Sequence, residues 1–293
     1  MSHTMDASTW QRLRAQHVER VAPWIDPRLR RRSRGEHHPI DDFLFDYYAW
    51  RPAQLARWHP GAGVVLTGDV SEFRRMRGYC VDMEASDGRA WADPRSFPIE
   101  EMRVFLGILR STASRPPVLS CFGRHEWAMV YRLEENQIRH ATWPLRLAPG
   151  AIARVVEETP LRCTHFDAFR FYADAARPLN VVQPRRETQA DLEQPGCLHA
   201  TMDLYKWCFR SYPAIGADLT ADCFELAREV RLVDMRASPY DLRNLGCDPI
   251  AIETPAGRAE YVEHQRNFAE RGARLRTRVI EGLQAALGKE LLA

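Results

Sequence analysis

From about residue 257 to residue 290, apolar side chains return at helical intervals, with Tyr261, Val262, Phe268, Leu275, Val279 and Leu283 as one stripe. A helix this long must lay its stripe along a core, so the rest of the chain has to supply that core's other walls. The run TADCFELAREVRLVDMRA (220–237) answers with Phe224, Ala227, Val230 and Met235 on roughly one face, and Thr220 reads as its cap. Residues 199–212 also read as helix. Nearer the N-terminus, residues 8–21 place Trp10, Leu13, His17 and Val21 on one side. IDDFLFDYYAW follows Pro39 with Asp41 and Asp42 suited to a first turn, and RPAQLARW reads as a short helix ended by His59-Pro60-Gly61. Pro98 opens another helix that runs to about residue 113.

GVVLTG has the character of a strand, and residues 84–97 read as a turn-rich loop. From 117 to 183 the pattern is broken by Pro144, Pro149, Pro160 and Pro178. A small sheet or extended segments are expected there, with PGAIARVVEE as a short helix. The expected fold is therefore α+β and predominantly helical: a small central mixed sheet or extended segments enclosed by helices, with a long C-terminal helix. Neither a repeat nor a Gly/Ser linker divides the chain. A single domain over residues 1–293 is expected, with residues 1–35 as a basic helical arm.

At 293 residues the chain can bury a substantial core. Its formal net charge of +2 is too small to mark a nucleic-acid binder by itself. The charge is uneven, however: Arg28, Arg30, Arg31, Arg32 and Arg34 cluster ahead of His37 and His38. Such a run either meets phosphates, DNA among them, or is a solvated helix end. Seven cysteines cannot all pair within one chain. With no run of about 18 apolar residues and no signal-like N-terminus, the expectation is a cytoplasmic protein with reduced thiols and no membrane partner.

Three segments concentrate chemistry: Cys121-Phe-Gly-Arg-His125-Glu126, Cys163-Thr-His165-Phe-Asp167 and Cys197-Leu-His199-Ala-Thr-Met-Asp203. Each sets a histidine beside a carboxylate. Imidazole and carboxylate are the usual ligands of catalytic zinc and non-haem iron. His125, His165, Asp167 and His199 are thus candidate ligands. If 165–167 is a strand, His165 and Asp167 face the same way; on a helix, His199 and Asp203 do. The alternative is a set of histidines that only tie a core together.

Asp222, Glu225 and Glu229 share a helix face, with Asp234 further along it, and Arg228 and Arg231 beside them favour ordinary ion pairing. Met235 to Asp241 reads as a polar turn in which Arg236 and Tyr240 are candidate ligand contacts. Cys-x-x-Cys, His-Glu-x-x-His, Walker A, Gly-x-Gly-x-x-Gly and Gly-x-Ser-x-Gly are all absent, which removes the main support for zinc-finger, zincin, P-loop, Rossmann and hydrolase-elbow readings.

HPIDDFLFDYY (38–48), RWHPG (57–61), CFGRHEWAMVYR (121–132), HFDAFRF (165–171), EQPGCLHATMDLYKW (193–207), DCFELAREVRLVDMRASPYDL (222–242) and ETPAGRAEYVEHQR (253–266) resemble an actinobacterial family of about 300 residues labelled 3-methyladenine DNA glycosylase. The resemblance covers most of the chain. It implies a DNA-repair enzyme that excises alkylated purines and needs no cofactor. In that role Trp127, Tyr131 and Phe169 would stack the flipped base, and Glu126, Asp167 or Asp203 would stabilise the sugar cation. Residues alone leave two other readings: an iron- or zinc-dependent enzyme acting on a small molecule, and a non-catalytic ligand-binding protein.

Overall fold

The computed structural model describes residues 3–84, 87–138 and 143–288. The architecture is α+β and predominantly helical. In chain order the elements are β1 (His3–Met5), α1 (Ala7–Ser33), α2 (Phe43–Tyr47), α3 (Pro52–Leu55), β2 (Val64–Thr67), β3 (Tyr79–Asp82), β4 (Arg89–Ala92), α4 (Ile99–Ala113) and α5 (Arg124–Met129). There follow α6 (Pro149–Glu157), α7 (Phe166–Phe169), α8 (Gln189–Leu192), α9 (Leu198–Arg210), α10 (Ala217–Arg236) and α11 (Pro255–Leu287). None of the described helices is long and apolar enough to cross a membrane.

The chain forms two compact units, each drawn from separated stretches. Unit 1 takes Met1–Gly107, Asp203–Arg228 and Arg274–Ala293; unit 2 takes Ile108–Met202 and Glu229–Ala273. The divisions fall inside α4, α9, α10 and α11.

Unit 1 holds a four-stranded sheet in the order β1-β2-β4-β3, with β1 parallel to β2 and the other pairings antiparallel. Leu66 of β2 and Ala90 of β4 are cross-strand partners, and both are wholly buried in a cluster with Trp10, Trp58, Val70 and Phe73. Trp10 lies edge-on to Phe73 at 5.6 Å and donates from Nε1 to the Thr67 carbonyl at 3.0 Å, so its one polar atom is satisfied within the core. A second aromatic group joins Trp24, Phe45, Tyr205 and Phe224 at centroid distances near 5 Å.

Helix α1 runs well past the expected end at residue 21. Asp6 caps it by accepting from the Thr9 amide at 2.8 Å, and it passes through Pro23 and Pro27 to Ser33. An interior proline removes a backbone donor and costs about 3 kcal/mol. The buried stripe of Trp10, His17, Val21 and Ile25 passes Pro23, and beyond Pro27 Arg28 and Arg31 pair with Asp42; together these offset that cost.

Three further expectations are corrected. The sheet lies between residues 3 and 92, whereas the proline-broken stretch 117–183 forms the short helices α5, α6 and α7, with isolated bridges Leu145–Tyr240 and Leu161–Asn180. The expected loop at 84–97 contains β4, whose small Ala90 and Ala92 alternate inward; residues 85 and 86 lie outside the described residues. Thr220 is not a cap. It sits inside α10 and its hydroxyl donates back to the Gly216 carbonyl at 3.0 Å.

Unit 2 is held by polar anchors as well as apolar packing. Trp127 donates to the Ala237 carbonyl at 2.8 Å, Gln265 to the Gly196 carbonyl at 2.6 Å, and Arg146 pairs with Glu253 at 2.8 Å. These bonds fix α5, the start of α9 and the region after α10 around a buried polar centre.

Candidate metal centre

Three histidines meet inside unit 2. The rings of His125 and His199 lie edge to face with centroids 4.5 Å apart, and His165 stacks on His199 at 5.2 Å. All three are buried. His125 comes from the first turn of α5, which begins after two successive left-handed residues, Phe122 (φ 50°) and Gly123 (φ 66°). A Cβ on residue 123 would press on the Tyr261 ring at 3.2 Å, so glycine suits this position sterically as well as conformationally. The phenylalanine carries a real backbone strain at the entrance to α5.

His199 occupies the first turn of α9. Asp234 completes the group from the last turn of α10. One ligand atom from each of His125, His199 and Asp234 lies within 4.8 Å of the other two. His125 Nε2 and Asp234 Oδ1 are 3.0 Å apart, an ion pair when the ring is protonated, and neither atom has another partner among the described residues. Asp234 Oδ2, by contrast, accepts from Arg231 at 3.0 Å, and Arg231 also donates to Glu126 at 2.9 Å. The carboxylate is therefore clamped on one oxygen, and the other is turned to the imidazole.

The electrostatics follow from burial and charge. Burial opposes ionisation of Asp234, but facing His125, and then His199 and Arg231, hold its carboxyl far below the usual carboxylate range. For His125, burial alone would depress the imidazole; the Asp234 charge more than reverses this, so its affinity for a proton is raised. A metal ion bound at this position would have to displace that proton. His165 makes a separate pair, with Nε2 3.2 Å from Glu193 Oε1, while Gln189 donates to the same oxygen at 2.6 Å. That pairing orients the ring stacked on His199.

A small cavity of about 20 Å³ opens beside His125 and His199, with Cys121, Cys163, Cys197 and Tyr261 in its wall. This is room for one water-sized molecule. Burial pushes the Cys163 thiol up to about 12 and raises Cys121 and Cys197 as well, so all three are protonated near neutrality. Among the described residues, no cysteine belongs to a group of three close ligand atoms.

The structure brings together His125, His165 and His199 but does not add Asp167 to them. Residues 165–167 do not form a strand: His165 precedes α7 and Asp167 lies within it, so the same-face argument does not apply. Asp167 instead accepts from Arg186 at 2.8 Å and lies 3.3 Å from Arg170. Glu126 anchors Arg231. Asp203, in unit 1, accepts from Tyr48 at 2.7 Å and Lys206 at 2.5 Å.

Trp127 is wholly buried and hydrogen-bonded, and Tyr131 is buried with its hydroxyl donating to Glu157 at 2.6 Å. Phe169 packs against Tyr172 at 5.0 Å. Arg236 donates to the Asp248 carbonyl at 2.8 Å and to Glu260 at 3.1 Å, and Tyr240 is buried at the Leu145 bridge. Asp222 and Glu225 are ion-paired to Arg20, and Glu229 to Arg271. The residue that sequence reasoning left unassigned is Asp234. Its signal was present: Arg231 and Asp234 form an i,i+3 charged pair set among Val230, Val233 and Met235.

In unit 1, Arg28 is paired to Asp42 and Asp46 and Arg31 to Asp42, while Arg30, Arg32 and Arg34 are exposed. Comparison with models of protein families, with curated proteins and with solved structures finds no match to this chain.

Proposed function

We propose that the chain is a metal-dependent enzyme acting on a small molecule, with iron or zinc held by His125, His199 and Asp234. The observation that carries this reading is the convergence of one ligand atom each from the buried His125, His199 and Asp234 within 4.8 Å of one another. An ion bound there would take the place of the proton that His125 and Asp234 otherwise share. Two imidazoles and one carboxylate are the donor set of many catalytic zinc and non-haem iron sites, which keep a further position open. The cavity beside the histidines supplies room there for a water-sized ligand.

The surrounding residues have ordered tasks in this reading. Arg231 fixes Asp234 through Oδ2 and leaves Oδ1 for the ion, and Glu126 holds Arg231 in place. His165, paired to Glu193, packs on the His199 ring and fixes its plane. The three neutral thiols make the cavity wall weakly polar.

Elemental analysis of the full chain, purified without chelator and then loaded with Fe(II) or Zn(II), tests the proposal. About one ion per chain is expected in the parent, together with a higher melting temperature in the loaded protein. His199→Ala and Asp234→Asn should each bind less than about a tenth as much, as the loss of one ligand implies. A folded parent that retains no ion after loading removes the metal reading.

The exposed Arg30, Arg32 and Arg34 favour a second reading, the excision of alkylated purines implied by the family resemblance. Excision of 3-methyladenine from alkylated DNA in the presence of chelator is the outcome that selects it.

A further inference from the structure

Unit 1 contains a cleft of about 500 Å³, a size typical of small-molecule sites. Its walls include Trp50, Arg57, Arg77, Phe209, Arg210 and Tyr212. Two features set it apart from an ordinary surface hollow. The first is charge. Three guanidiniums face the cleft and one carboxylate, Glu101, which is taken by Arg210 at 2.6 Å. Neither Arg57 nor Arg77 forms an ion pair with any described residue, and both are exposed. The surplus of two positive charges matches the charge of a phosphate monoester near neutrality, about −1.5 to −2. Guanidinium forks also suit the geometry of phosphate oxygens.

The second feature is an aromatic wall with unmet polar atoms. Trp50 stacks on Phe209, with centroids 4.8 Å apart and planes 22° from parallel, and Tyr212 stands 6.3 Å from the indole. Trp50 Nε1 is buried without a hydrogen-bond partner. A smaller adjoining cavity shares Trp50, Gln54, Arg57, Phe209 and Tyr212 with the cleft and reaches His59. His59 is 5 % exposed, and its Nδ1 likewise has no partner. Buried donors and acceptors of this kind are uncommon unless a ligand or water completes them.

We infer that this cleft binds a phosphate monoester carrying a flat ring, of the mononucleotide class, with the phosphate on Arg57 and Arg77 and the ring against Trp50. This inference rests on unit 1 alone and does not depend on the metal reading.

Calorimetric titration of the full chain with adenosine 5′-monophosphate, adenosine and inorganic phosphate tests it, with the part of the tryptophan fluorescence change that Trp50→Leu removes as a second signal. The monophosphate should bind at least about tenfold more tightly than either half, since each half makes only one of the two sets of contacts. Arg57→Ala and Arg77→Ala should each weaken it about tenfold, a charge-assisted hydrogen bond's worth. Trp50→Leu should weaken the monophosphate and leave inorganic phosphate unchanged. Unaltered melting curves would show that the variants stay folded. No saturable binding at millimolar monophosphate overturns the inference; so do equal affinities for phosphate and monophosphate, or binding that survives in the Arg57→Ala/Arg77→Ala double variant.

Discussion

At the scale of the residue, several side chains in this protein are held in states that water would not allow them. His59 is the clearest in unit 1. Burial, with a further push from His17 and Arg57 and opposition from Asp218, lowers its imidazole to about 3. The unfolded chain takes up this proton near pH 6.5 and the folded chain does not until about pH 3. Between those values the unfolded state binds more protons, so stability falls as the pH drops, by up to about 1.4 kcal/mol per pH unit from this group. Urea unfolding between pH 7 and pH 4 should therefore show a shallower decline in His59→Gln than in the parent. Equal slopes would mean that His59 takes up its proton over the same pH range in the folded and the unfolded chain. The candidate metal centre shows how unevenly residues announce themselves. Its histidines stand out in the sequence because three of them sit beside carboxylates. Asp234 does not, because its importance lies in facing His125, more than a hundred positions away, and no local pattern encodes that meeting.

At the scale of the element, helix start and stop signals carried much of the architecture. Helices α4, α6, α9, α10 and α11 fall close to the stretches their periodicity marks out. Failures came where one local rule was outvoted. Pro23 does not end α1, because the buried stripe continues past it to Ile25, and beyond Pro27 the ion pairs of Arg28 and Arg31 with Asp42 hold the last turns. His165 and Asp167 were read with a two-residue period, yet Asp167 belongs to a helical turn, where residues two apart point about 200° from each other. Sheet residues hid for a different reason: strands of three or four residues are too short to show a period. The start of α11 offers a sharp test of packing at this scale. A Cβ on Gly257 would lie 2.0 Å from the Ala251 carbonyl oxygen, which is backbone and cannot turn aside. Gly257→Ala is expected to destabilise the protein by about 2–3 kcal/mol, the upper range for overpacking, and to lower its melting temperature by several degrees. Gly150→Ala, where a Cβ meets nothing within 4 Å, is the control that should melt with the parent.

At the scale of the whole molecule, the arrangement of segments matters as much as their packing. Unit 1 needs residues 274 onward, where Arg276, Val279 and Leu283 are almost wholly buried. Fully burying one such apolar side chain contributes about 1.5–3 kcal/mol. A chain shortened to residues 1–273 should therefore lose protection from hydrogen exchange throughout the β1–β4 sheet. Sheet amides that exchange as slowly as in the parent would refute this. The same threading sets a timetable for biosynthesis. All the segments of unit 2 lie between residues 108 and 273, so they are synthesised before residues 274 onward, the last part of unit 1. Residues 1–107 are made before them but must wait for the last part of α11. During that interval the nascent sheet and its tryptophans are exposed, which makes the N-terminal stretch the part of this chain most in need of a chaperone's shelter.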